Sequence, residues 1–101
     1  MKYGLTDSEF NFLNENLVLP LKKFQAQVFI FGSRVKGRHK KFSDIDLLYI
    51  PDPSSPIHAS DVYQIISEIE NSQFPYKIDL VNYHELASSY RMNIDSEKVA
   101  L

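Results

Sequence analysis

Gly32-Ser33-Arg34-Val35-Lys36-Gly37-Arg38-His39-Lys40-Lys41-Phe42-Ser43-Asp44-Ile45-Asp46-Leu47 is the stretch on which the reading of this chain turns. Upstream, Val28 to Phe31 is apolar on both faces, as in a covered strand. It runs into a Gly-Ser turn. The residues after Gly32 read as a short helical turn bounded by Gly37, then a loop. Asp44-x-Asp46 opens a second apolar run, Ile45 to Ile50, stopped by Pro51-Asp52-Pro53-Ser54-Ser55-Pro56. A third acid, Asp79, sits inside another apolar run, Lys77-Ile78-Asp79-Leu80-Val81.

The chain has 101 residues, 44% of them hydrophobic, and reads as a single domain over 1–101. A chain of this size buries roughly 65% of its unfolded surface. There is no cysteine, which excludes a disulfide framework and thiolate metal sites. The N-terminal residues lack the apolar core of a signal peptide, and no run is long enough to span a bilayer. The expectation is a soluble cytoplasmic protein without membrane contact. Net charge is −2, so nothing favours nucleic acid globally. Yet Arg34, Lys36, Arg38, Lys40 and Lys41, five of the 11 basic residues, cluster just before the acidic pair. Such a patch can contact a polyphosphate but is too short to follow a long duplex.

Thr6-Asp7-Ser8-Glu9 has the pattern of a capping box, followed by Phe10, Leu13 and Leu17 at helical spacing, with Pro20 past the helix end. Val62, Ile65, Ile66 and Ile69 predict an amphipathic helix from about His58 to Asn71. A third strand is expected over Tyr76 to Val81, and a last short helix around Leu86 and Tyr90. Ile94, Val99 and Leu101 form an apolar tail whose pattern assigns no conformation. Helices alternating with short strands predict an α+β (mixed α/β) domain: a small mixed sheet with helices packed on one face.

Strand side chains alternate faces, so the acids can be placed. Ile45, Leu47 and Tyr49 share one face; Asp44, Asp46, Leu48 and Ile50 share the other. Ile78 and Leu80 share a face, with Asp79 opposite. If the two strands are neighbours, all three carboxylates converge on one patch. Two like charges about 4 Å apart repel by roughly 4 kcal/mol at an effective dielectric of 20. Three such pairs would consume most of the roughly 5–15 kcal/mol that keeps a domain folded. A cation among them, or protonation, is therefore expected. Oxygen-only ligands favour magnesium or manganese over zinc, and a pair of ions would clamp a phosphoryl displacement. Taken singly, each acid reads as a turn cap, an ion pair or a solvated edge residue.

Gly32 lets backbone approach a ligand closely, and Ser33 offers a hydroxyl and an N–H at the start of a turn, where anions are favoured. Ser43 could add a second hydroxyl. A Gly-Ser pair alone marks an ordinary turn; joined to the strand, the basic segment and Asp-x-Asp it specifies a nucleotide site. No Ser-His-Asp ordering supports Ser33 as a nucleophile. His39, His58 and His84 share no ligand spacing.

Gly32-Ser33, ten intervening residues, then Asp44-Ile45-Asp46 resembles the signature of the minimal nucleotidyltransferases, within the DNA polymerase β-like nucleotidyltransferase superfamily. The resemblance covers roughly Phe24 to Leu86 and implies the polymerase β-like palm fold. By it, Asp44, Asp46 and Asp79 would be both metal ligands and catalytic residues, with two Mg2+ ions and ATP as donor. Asp79 would also help deprotonate the acceptor hydroxyl. Gly32, Ser33 and Ser43 would bind the nucleotide phosphates; Arg34, Lys36 and Ser43 are weaker transfers than Gly32 and Ser33. The family further implies an antitoxin paired with a small helical HEPN-type toxin, moving AMP from ATP onto a tyrosine of that partner. Exposed apolar residues of the tail, with Tyr63, Tyr83 and Tyr90, could supply the partner surface. Two alternatives stand beside this: stoichiometric masking of the toxin without catalysis, and nucleotidyl transfer to a small molecule or RNA.

Overall fold

The computed structural model describes residues 2–101. The capping box forms: Thr6 Oγ1 accepts the Glu9 amide at 3.1 Å, and Glu9 Oε1 accepts the Thr6 amide at 2.9 Å. It starts helix α1 (Asp7–Leu13). The helical run does not end before Pro20. A π-helical turn, Asn14–Val18, carries it into α2 (Leu19–Lys23), with Pro20 in the first turn of α2. A proline inside a helix normally meets the carbonyl four residues back. The wider turn, closed by the Leu19 amide on the Asn14 carbonyl, makes room for the ring.

Strands β1 (Gln27–Phe31), β2 (Ile45–Ile50), β3 (Ile78–Asn82) and β4 (Val99–Ala100) form one sheet in the order β3-β2-β1-β4. β1 is antiparallel to β2 and β4, and β2 is parallel to β3. The parallel pair is joined by α3 (Ala59–Glu70), within the span predicted for it. β3 starts at Ile78, two residues later than expected. Tyr76 lies before it, edge-on to Phe74 at 5.6 Å between ring centroids, rather than in the ladder.

Val28, Ile30, Ile45, Leu47, Tyr49 and Ile78 are buried on one face of the sheet. Leu13, Leu17, Val18 and Leu21 of α1–α2, with Ile69 of α3, complete that core. The apolar face and the helices expected over it are thus observed.

The tail acquires a definite structure. Helix α4 (Ser88–Glu97) follows a 3-10 turn at Tyr83–Glu85 and leads directly into β4. Tyr90, Asn93, Ile94 and Glu97 border the same cleft as Phe31, Asp46 and Val81, so α4 runs along the opposite, acid-bearing face. Its end is pinned to the 3-10 turn: the Tyr83 hydroxyl donates to Asp95 at 2.7 Å, and Lys98 pairs with Asp95 at 2.7 Å. Tyr83 is therefore engaged within the chain, whereas Tyr63 and Tyr90 are exposed. Among the described residues no helix is long and apolar enough to cross a membrane.

Candidate active site

Register brings two of the three acids together. In the parallel β2–β3 ladder Asp46 stands directly opposite Asp79, and on the other side Asp46 is opposite Phe31. Both carboxylates line a cleft of about 540 Å3, together with Gly32, Lys36 and the α4 residues Tyr90, Asn93 and Glu97. That volume falls within the range of small-ligand pockets, about 300–1,000 Å3. Asp44 lies one residue before β2, exposed, and outside the cleft lining. It still contributes charge at Asp46. Burial pushes the Asp46 carboxyl above its ordinary value, the charges of Asp79 and Asp44 push it the same way, Arg34 opposes them, and Glu97 adds to the rise. Among the described residues no three acid or histidine side chains stand as a ready metal cage.

Gly32 is demanded twice over. Its φ is +85°, in the left-handed region, and a Cβ placed there would overlap Oδ2 of Asp46. The backbone of the turn and the central carboxylate are therefore in direct contact. The expected turn follows: the Val35 amide bonds the Gly32 carbonyl at 3.2 Å, and the Arg38 amide the Ser33 carbonyl at 2.9 Å, with Gly37 at φ +69°. Ser33 opens this turn, half-buried, and is not part of the cleft lining.

Two basic residues of the cluster have distinct places. Arg34 does not face a ligand; it is 2% exposed. Its guanidinium donates to the carbonyls of Tyr3 at 2.8 Å, Ser43 at 2.6 Å and Asp44 at 3.3 Å, and lies 4.6 Å from the Tyr76 ring centre. A planar fork satisfying three carbonyls holds the loop that delivers the Asp-x-Asp pair. Lys36 does border the cleft, paired with Glu97 at 2.7 Å. Ser43 sits in the loop, outside the cleft lining, where its hydroxyl accepts the Lys40 amide at 2.7 Å.

Glu97 is the site residue that sequence reasoning missed. Its Oε1 accepts the Gly32 amide at 3.3 Å, and its Oε2 holds Lys36. Nothing local signals this, because the contact joins residues 65 positions apart.

A glycine turn packed on an Asp-x-Asp strand, with a third acid on the parallel neighbour and a ligand-sized cleft above, defines a nucleotidyltransferase palm. The chain belongs to the family described as Polymerase beta, Nucleotidyltransferase, which it matches over residues 18–101. It is 34% identical over 64 residues to the "Probable protein adenylyltransferase MntA" of Haemophilus influenzae, a match covering 63% of this chain and 54% of that protein. The chain thus spans about half the length of this curated relative. Two solved structures share the fold. One, described as a minimal nucleotidyltransferase, has a TM-score of 0.68 at 24% identity, covering 95% of this chain and 97% of that one. The other, a toxin–antitoxin crystal structure with AMP-PNP, has a TM-score of 0.65 at 14% identity, covering 86% and 70%.

Proposed function

We propose that this chain is the nucleotidyl-transferring antitoxin of a toxin–antitoxin pair, moving AMP from ATP onto a tyrosine hydroxyl of a small helical HEPN-type toxin. The observation that carries the reading is the Asp46–Asp79 pair, side by side on parallel strands at the floor of a cleft rimmed by Gly32 and Lys36. The likeness to an adenylyltransferase supports adenylyl as the group moved.

Asp46, Asp79 and Asp44 would hold magnesium. The donor set fits: it is oxygen only, and the like charges around Asp46 call for a cation. Magnesium commonly takes one or two carboxylates and leaves the remaining positions to water and substrate phosphates. A site without a complete protein cage is therefore the expected kind. A metal held there would supply charge neutralisation to the reacting phosphate. Gly32, at the cleft, and Ser33, which opens its turn, would bind the phosphate tail. The Ser43 hydroxyl, outside the cleft lining, accepts one hydrogen bond and keeps its own proton, the only contact it would offer a phosphate oxygen. The acceptor oxygen attacks the α-phosphorus, the bond to the bridging oxygen breaks, and pyrophosphate leaves. Asp79 takes the hydroxyl proton.

Intact-mass measurement of the partner after incubation with ATP and magnesium tests this. The partner gains one adenylyl group with the wild-type chain and none with Asp46→Asn or with chelator. Toxin neutralised at unchanged mass, by wild type and variant alike, replaces catalysis with masking.

A further inference from the structure

Two groups at the cleft rim can hold an anion: the Gly32 amide, in a left-handed turn, and the Lys36 ammonium four residues on. Both are satisfied by one carboxylate. Glu97 Oε1 accepts the amide at 3.3 Å, and Glu97 Oε2 takes the ammonium at 2.7 Å. Two oxygens on a single carbon, divided between a backbone N–H and a cation, mimic the way a phosphate group would be held. Glu97 also adds a negative charge beside Asp46, where other carboxylates already repel one another. We propose that Glu97 is a built-in stand-in for a phosphate: it fills the Gly32–Lys36 seat until the polyphosphate of a nucleotide displaces it. This rests on the nucleotidyltransferase reading and adds an internal competitor to it.

The exchange is chemically even. Lys36 keeps an anionic partner and Gly32 an acceptor before and after the exchange, and the displaced Glu97 carboxylate turns to water. The Lys36 side chain is 48% exposed and that of Glu97 19%, so the pair is partly screened by water and open to competition from a more highly charged anion. Glu97 closes α4 and stands two residues before β4, which meets β1 through only two register pairs. Departure of the carboxylate can therefore be absorbed by the end of α4 without disturbing the main core.

Binding of inorganic pyrophosphate and of AMP-PNP with magnesium, each measured by calorimetry on the wild-type chain, E97Q and E97A, tests the proposal. The Gly32 amide resonance reports occupancy of the seat. Glutamine keeps the shape and an acceptor but loses the ion pair; alanine loses both. Freeing the seat raises apparent affinity by the inverse of the fraction open, so both ligands should bind about tenfold more tightly to E97A, with E97Q between. K36M should weaken both in every background. Unchanged or weaker pyrophosphate and AMP-PNP binding in E97Q and E97A overturns the stand-in role while leaving the nucleotide reading intact. Tighter pyrophosphate binding without any AMP-PNP binding keeps the stand-in and removes the nucleotide reading. If neither ligand binds any of the proteins, both fall.

Discussion

Asp46 carries most of the tension in the site, and its protonation gives that tension a sign. Its carboxyl titrates above the ordinary value because burial and then Asp79 and Asp44 disfavour the charge. The folded state therefore binds the proton more tightly than the unfolded chain does. Without divalent ions, the contribution of Asp46 to stability should fall as pH rises from about 4 through the raised value, then level off, against the opposite contributions of Asp52 and Asp95, whose carboxyls are held low by their hydrogen bonds. Asp46→Asn should remove that contribution and leave the others. In chelator at neutral pH it should melt slightly higher, by on the order of 0.5–1 kcal/mol for a partly screened group, while losing transfer activity. Melting curves from pH 4 to 8 decide it; an unchanged slope in the variant would assign the titration elsewhere. Gly32 makes the opposite case. Gly32→Ala must place a Cβ at positive φ against Asp46, costing about 1–3 kcal/mol in strain. Denaturant unfolding should register that loss, and nucleotide binding should weaken with it.

At the level of elements, legibility followed the range of the interactions. Alternation in Ile45-Asp46-Leu47-Leu48-Tyr49 placed the acid and the core faces correctly, because a period of two is a local property of a strand. The spacing of Val62, Ile65, Ile66 and Ile69 located α3 for the same kind of reason. Pro20 misled, since a π turn that tolerates a proline has no one-residue signature. Arg34 misled differently: among Lys36, Arg38 and Lys40 it looks like another ligand-facing cation. Only the converging carbonyls of Tyr3, Ser43 and Asp44 explain its burial. Helix α4 was only half legible, because Ser88–Glu97 has few apolar residues and Ile94 is the one it buries deeply. Arg34 yields a prediction at this scale. Arg34→Met keeps the stem but orphans three carbonyls, and should destabilise by about 2–3 kcal/mol. Arg34→Lys should recover only part, because a single ammonium cannot reproduce the fork. The turnover lost in Arg34→Lys at a temperature where it stays folded measures how far the loop fixes Asp44; full activity there would show that Asp44 needs no such support.

The whole molecule divides labour between the two faces of one sheet. One face, under α1–α2 and α3, holds the continuous apolar core; the other bears the acids and the cleft beneath α4. The chain, built on one four-stranded sheet, has a radius of gyration of 13.2 Å, which leaves little distance between them, so ligand binding should be felt by global stability. Neither magnesium nor nucleotide alone should bind strongly. The metal lacks a complete cage among the described residues, and the polyphosphate meets Asp46 and Asp79 unshielded. Together each supplies what the other lacks. At a ligand concentration about 100 times Kd, the pair should stabilise the fold by about 2.7 kcal/mol. For a domain near 100 residues that is a rise in Tm of roughly 10–20 °C. Magnesium alone, or AMP-PNP in chelator, should give a few degrees at most, and Asp46→Asn should abolish the joint effect while its own melting stays cooperative. A full shift with AMP-PNP in chelator would mean that the nucleotide is held by Gly32, Lys36 and their neighbours without a metal bridge, and the carboxylates would then need another role.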